Sequence, residues 1–262
     1  MLEPRSGPRV YMVPLGVDFP KALVDGLMMR WRDKPPDALA RVELIVNTRR
    51  MARRIRGLFD EGPACLLPKI TMITQPGESW KLGDIPEAVS PLRRRLELVQ
   101  LVSALLDKQP DLAPRGSIYD LADSLVTLMD EMHGEGVSPD ALDALDISDQ
   151  SGHWARITAF LSIIRHYFGS DGAPDPEARQ RRVVEGLIAA WEADPPQHPI
   201  LLAGSTGSRG TTQALMRAVA KLPQGAVVLP GFDADMPDAV WHALIGKTAH
   251  EDHPQYRFAA LF

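Results

Sequence analysis

The segment from Val42 to Phe59 does most to limit what this chain can fold into. It opens on a short apolar run, Val42-Glu-Leu-Ile-Val46, with the length and composition of a buried strand. Asn47-Thr48 then offers a helix N-cap, and the residues from Arg49 to Phe59 continue as a helix with Met51, Ile55 and Leu58 on one face. The same order occurs upstream. Val10-Tyr-Met-Val13 reads as a strand, Pro14 to Phe19 as a turn, and Pro20 opens a helix through Ala22, Leu23, Leu27 and Trp31. Leu66 to Ile73 is a third strand candidate, and Pro68 places it at a sheet edge or a strand start. Strand, helix, strand, helix, strand implies an α/β fold with a parallel sheet and right-handed crossovers.

From about residue 88 to 195 the pattern changes to amphipathic helices. Leu92, Leu96, Val99, Val102 and Leu106 form one stripe. Ile118, Leu121, Leu125, Leu128 and Met132 form a second, opening at Ser117 and stopping at Gly134 and Gly136. Trp154, Ile157, Leu161, Ile164 and Phe168 form a third, and Val184, Leu187, Ile188 and Trp191 a fourth, ended by Pro195-Pro196. Such stripes are helical-bundle core rather than a cofactor box. Beyond residue 196 the α/β character returns, with strands at Pro199–Ala203 and Gly225–Gly231 and a helix at Gln213–Leu222 between them. The expected layout is a first α/β part over 1–87, a helical subdomain inserted over 88–195, and a second α/β part over 196–262. The end, Gln255 to Phe262, stops in mid-pattern, which suggests the N-terminal part of a longer chain.

The net charge is −5, so any nucleic-acid binding has to use a local patch rather than a global basic field. Lone Cys65 rules out a disulfide within the chain and fits a reducing cytoplasm. No apolar run approaches the roughly 20 residues that span a bilayer, so no membrane partner is expected.

The candidate chemistry sits at the strand-to-helix junctions. Arg49, Arg50, Arg53, Arg54 and Arg56 gather on the helix that Thr48 caps, and a helix N-terminus already presents unpaired N–H groups to an anion. A basic helix face is ordinarily solvated surface; the alternative is a phosphate-binding end. The turn Gly204-Ser-Thr-Gly-Ser-Arg-Gly-Thr-Thr212 offers Gly207, Ser208, Arg209 and Thr211 as a second anion candidate, against a plain tight connection. It is no phosphate loop, because Arg209 stands where the spacing needs Gly and no Lys-Ser/Thr follows. Pro14-Leu-Gly-Val-Asp-Phe-Pro-Lys21 has one Gly, no Lys-Ser/Thr pair and a repelling Asp18, so ATP is not expected there. Asp233 and Asp235 follow a strand but have no nucleotide to serve. His250-Glu-Asp-His253 falls one residue short of zinc-helix spacing, and Pro254 interrupts it. Arg93-Arg-Arg95 and Arg179-Gln-Arg-Arg182 are solvated surface or contacts to DNA or a partner. No catalytic residue, metal or cofactor is expected in this segment.

Leu44-Ile-Val-Asn-Thr-Arg-Arg-Met-Ala-Arg-Arg-Ile55 resembles the strand-Thr-helix segment of superfamily 1 DNA helicases of the UvrD type. Val17 to Leu27, Asn47 to Arg50, Ala203 to Gly210, Leu222 to Asp233 and His253 to Phe258 together resemble the N-terminal region of the alpha-type AddB family. AddB proteins are the B subunits of AddAB helicase–nucleases. The resemblance runs over almost the whole chain and is looser in the helical block. It implies a P-loop NTPase-like, helicase-like lobe interrupted by a helical subdomain, in a machine that processes double-strand DNA ends for recombinational repair. It implies an AddA-type motor subunit as partner, and nuclease carboxylates and cluster cysteines beyond residue 262. Some branches keep a Walker loop; this chain departs from them. Family helicase residues carry over only at Thr48, with Arg49 and Arg50 as neighbours.

The expected function is therefore an ATP-inactive lobe that guides single-stranded DNA through Thr48, Arg49, Arg50 and Arg53. The competing expectations are a scaffold that docks the motor subunit without touching DNA, and a nucleotide hydrolase using the 204–212 loop.

Overall fold

Strand β2 (Glu43–Val46) is buried at every position, as a strand flanked on both edges and covered on both faces must be. In the computed structural model, which describes residues 2–3, 7–74, 85–142, 160–161, 163–165, 172–245, 252–259 and 261, it pairs with β3 (Lys69–Met72) and β4 (Ile200–Ala203). The sheet has five strands in the order β1-β5-β4-β2-β3, with β1 over Val10–Pro14 and β5 over Gly225–Phe232, and every pairing is parallel. β3 begins directly after Pro68, the strand start that the proline allows, and it lies at the sheet edge.

The chain divides into two compact units, one of Met1–Leu82 with Val184–Phe262 and one of Gly83–Val183. The first holds the sheet. Helices α1 (Phe19–Trp31) and α2 (Arg49–Asp60) follow β1 and β2, and both connections run the same way across the sheet. Right-handed crossovers therefore lay both helices on one face. Leu23, Leu27 and Trp31 of α1 and Ala52, Ile55 and Phe59 of α2 share one core with Leu44, Val46, Leu201, Ala203, Ala226 and Val228. The β4-to-β5 connection runs the other way, so its helix covers the opposite face, where Ile45, Leu202 and Val227 point by strand alternation.

Gly26 is an exception to good helix design. It lies inside α1, and a Cβ built there meets nothing within 4 Å. Gly26→Ala is expected to stabilise the protein by about 1 kcal/mol through helix propensity alone. Thermal or urea denaturation would read this directly; a loss of stability would mean that the glycine serves the fold.

The second unit contains α3 (Pro91–Lys108), α4 (Ile118–Glu135) and the start of α5 (Pro176–Ala193), a helix that also contains the division at residue 183. The fourth expected stripe, from Val184 to Trp191, thus groups with the sheet. Leu98, Val102 and Leu106 pack with Ala122, Leu125, Met129 and Met132, joined by Ile163 and Ile164. α4 ends on Gly136 at φ 72°, the left-handed conformation that suits glycine after a helix. Leu92 and Leu96, expected inside, are exposed instead. At this end of α3 the inward position is held by Arg94. Arg94 Nε donates to the buried carboxylate of Asp175, and Arg95 makes two bonds to Asp123, at 2.5 and 2.9 Å. Arg93 pairs with Glu97. All three arginines thus have carboxylate partners; Arg93 stays solvated surface and Arg94 turns inward. Trp154, Ile157 and Phe168 of the third expected stripe lie outside the described residues.

His133, on α4, brings its Nε2 within 3.7 Å of Asp175. Burial pushes its pKa below the ordinary 6.5; Asp175 pulls it up, while Arg182, Arg94 and Arg181 add to the lowering. Below about 6.5 the unfolded chain therefore takes up a proton that the folded one resists, so stability falls as the pH drops. Denaturation midpoints at pH 7.5 and 5.5 should differ less in His133→Gln than in the parent. An unchanged difference would remove His133 as the cause.

Candidate functional site

In a parallel sheet the strand C-termini and the helix N-termini that follow them collect at one edge, where α/β proteins place ligands. Asn47, at the end of β2, donates from its side-chain amide to the Gly204 carbonyl at 2.5 Å and so ties the β2 and β4 junctions together. Gly204 needs its glycine: φ is +82°, and a Cβ would stand 2.9 Å from Met51 Cε and 3.3 Å from Phe19 Cε1.

Thr48 is the N-cap of α2. Its hydroxyl oxygen accepts the Met51 N–H at 3.1 Å, which leaves the O–H free to donate outward. The Ala52 N–H goes to the Thr48 carbonyl, so the first-turn N–H groups of Arg49 and Arg50 point beyond the helix.

From this end runs a groove of about 410 Å3, lined by Arg49, Ala52, Arg53 and Arg56 and by the edge-strand segment Ile70, Thr71 and Met72. The arginines recur at i, i+4 and i+7, one helical face. Among the described residues none of the three has an acidic partner, whereas Arg54 faces Asp18 at 3.5 Å and Glu61 at 3.9 Å. Three uncompensated guanidiniums along one groove make a local positive site on a chain of net charge −5.

The structure thus brings Thr48, Arg49 and Arg53 together, and places Arg50 on the exposed first turn but outside the groove lining. It adds Arg56 and the β3 segment. Arg56 was within reach of sequence, since it stands three residues after Arg53; the β3 wall depended on strand order.

The second candidate is arranged differently. In the 204–212 turn the buried Gly207 N–H donates inward to Ser205 Oγ at 3.2 Å, and Gly207 packs against Met216 and Gln213. Ser208 and Arg209 are exposed, and Thr211 is buried. Arg209 is the N-cap of helix α6 (Gly210–Lys221) without a side-chain capping bond. One of the glycine N–H groups that would cradle an anion is thereby committed to the fold.

The other features resolve into structure. Asp233 Oδ1 accepts the Asp235 N–H at 3.1 Å in a local turn, and buried Gln255 braces the end of β5 by bonds to Asp233 and Gly231. His253 Nδ1 accepts the Gln255 N–H, and His250 lies outside the described residues. Among the described residues no group of three or more His, Cys, Asp or Glu is placed to hold a metal ion, and no helix is long and apolar enough to cross a membrane. The N-terminus of α1 is capped by Asp18, whose carboxylate accepts the Lys21 N–H at 3.2 Å. No protein-family model matches this chain, and no curated protein matches it.

Proposed function

We propose that the sheet-bearing unit is a nucleotide-independent, helicase-like lobe that guides single-stranded DNA by contacts to its phosphates. The observation that carries this reading is the groove in which Arg49, Arg53 and Arg56 stand in register without acidic partners among the described residues. Arg49 and Arg56 lie seven positions apart, roughly 10 Å along a helix, which suits two or three successive phosphates. Thr48 O–H and the first-turn N–H groups extend the same path toward the sheet's C-terminal edge. Contacts to phosphates carry no sequence information, so this mode of binding is sequence-independent.

The helicase-like part of the proposal, with a helical subdomain inserted into the lobe, is supported by the all-parallel sheet and by a second unit whose residues fall between two stretches of the first. Its nucleotide independence is supported by Asp18: the helix end where a phosphate loop would deliver its anion holds a carboxylate of the chain itself. The resemblance to AddB supplies the setting, a cytoplasmic DNA-end-processing machine with an AddA-type motor subunit.

The test is a titration of fluorescent single-stranded DNA across salt concentrations, with ATP and without. Three phosphate contacts correspond to a slope of log affinity against log salt near −2. Affinity that depends on ATP would overturn the nucleotide-independent reading, and an absence of low-salt binding would overturn the DNA reading.

One observation favours the scaffold instead. Leu66 and Leu67, just before β3, are exposed at 55% and 37%, and apolar residues beside a basic groove suit a polypeptide as well as DNA. Binding to an isolated motor subunit that survives Arg49→Glu with Arg53→Glu, in a chain that ignores DNA, would decide for docking.

A further inference from the structure

β1 forms the edge of the sheet on the side away from the arginine groove, with β5 as its neighbour. The Val227 N–H donates to the Arg9 carbonyl, and Val10 is the register partner of Val227. By the alternation of a parallel ladder, Tyr11 and Val13 also turn their backbone groups toward β5. Val10 and Met12 turn theirs outward, and among the described residues nothing bonds to them there. A sheet edge is ordinarily blunted by charge, proline or a bulge. β1 carries no charged residue, and its proline and register shift come only at its last position, Pro14. β3, at the other edge, opens on exposed Lys69.

Alongside β1 runs a groove of about 200 Å3, bounded by Tyr11 and Met12 and by Ala22, Gly26 and Arg30 of α1. The three α1 residues recur at every fourth position and so share one helical face. Gly26 leaves that face open, since a Cβ built there meets nothing within 4 Å. Arg30 donates to the neutral Tyr11 hydroxyl at 2.6 Å and lies 4.9 Å above the Tyr11 ring. Among the described residues its guanidinium has no acidic partner.

An open strand edge presents N–H groups and carbonyls in alternation, and a second strand answers both. A phosphate chain would accept from the N–H groups and leave the carbonyls unanswered. We propose that β1 and α1 together bind an extended polypeptide segment that adds a strand to the outer edge of β1. One apolar side chain of the segment enters the groove beside Gly26, and one acidic side chain meets Arg30. Alternate residues of an added strand face α1, and two positions along a strand span about 6.6 Å. That is close to the roughly 6 Å of helical rise from Gly26 to Arg30. The apolar and acidic residues of the partner therefore stand two positions apart. The site is separate from the arginine groove, and its occupancy does not depend on DNA.

The probes are short fluorescent peptides with one leucine and one glutamate two positions apart in a serine–threonine background. Both orders are titrated against the full chain by fluorescence anisotropy. One order should bind with sub-millimolar affinity, and which one reports whether the added strand runs parallel or antiparallel to β1. N-methylating alternate peptide amides should weaken binding about ten-fold in one register and little in the other. Glutamine in place of the glutamate should cost about ten-fold. Arg30→Gln should reproduce that loss for the glutamate peptide and leave the glutamine peptide unaffected. Gly26→Leu, placed where the helix has room, should abolish binding without lowering the melting temperature. Failure of both peptides to bind would overturn the proposal, as would N-methylation that acts equally in both registers. A concentration-dependent dimer in sedimentation that Gly26→Leu dissolves would give the edge to a second copy of the chain and overturn it too.

Discussion

Gly225→Ala is expected to lower stability by about 3 kcal/mol or more. Gly225 opens β5, four residues after α6 ends, and a Cβ there would lie 1.9 Å from the Val219 carbonyl oxygen and 2.7 Å from Leu222 Cβ. Neither is the far end of a flexible side chain, so the backbone itself must move. Its freedom to do so is small. The Gly225 N–H donates to the Leu222 carbonyl at 3.0 Å, and its own carbonyl accepts from the buried Arg9 guanidinium at 2.6 Å. β5 is held between β1 and β4, so withdrawing it from α6 would strain the ladders on both sides. A loss of this size corresponds to a fall of roughly 6–12 °C in melting temperature for a chain of this length. Gly26→Ala is the control, because the same methyl group enters open space and should act in the opposite direction. Equal and small changes at both positions would show that the β5–α6 junction yields more readily than its hydrogen bonds imply.

The contrast between these glycines marks what sequence could and could not disclose. The unit from β2 through Thr48 to α2 was legible because its determinants are local: an apolar run, a capping residue and a helical period. Pro68 offered an edge or a strand start, and it stands just before β3, at the start. The parallel sheet followed from the alternation of strands and helices, but the strand order did not, because it depends on pairings between residues more than a hundred positions apart. The β3 wall of the arginine groove was hidden because an apolar run does not say which strand it pairs with, even one 26 positions away. Arg94 illustrates the same limit in the helical unit. Three successive arginines look like surface until Asp175, 81 residues later, arrives beside them. Leu92 and Leu96 stand in solvent there while Arg94 turns inward, although both leucines fit the apolar stripe. At Gly207 the sequence disclosed a flexible N–H but not its direction, and Ser205 claims it.

Reversing charge at two groove positions, Arg49→Glu with Arg53→Glu, is expected to weaken single-stranded DNA binding by about 100-fold or more at low salt. Each charge-assisted phosphate contact contributes roughly 1.5–3 kcal/mol, and about 1.4 kcal/mol corresponds to a factor of ten. The two new carboxylates would also oppose the contact at Arg56, so the salt slope should fall from near −2 toward zero. Folding should be almost unaffected. Both side chains are exposed and neither makes an ion pair among the described residues, and a glutamate in the first turn of α2 suits the helix dipole. Loss of binding in a variant with unchanged melting temperature therefore separates the groove from the fold. Arg54→Glu is the companion measurement, because Arg54 lies on the same helix but faces Asp18 and Glu61 rather than the groove. A geometric site predicts that Arg54→Glu changes affinity only a few-fold, through the general field. If it weakens binding as much as Arg53→Glu, then DNA responds to the summed charge of α2, and the register of Arg49, Arg53 and Arg56 along the groove has no part in binding.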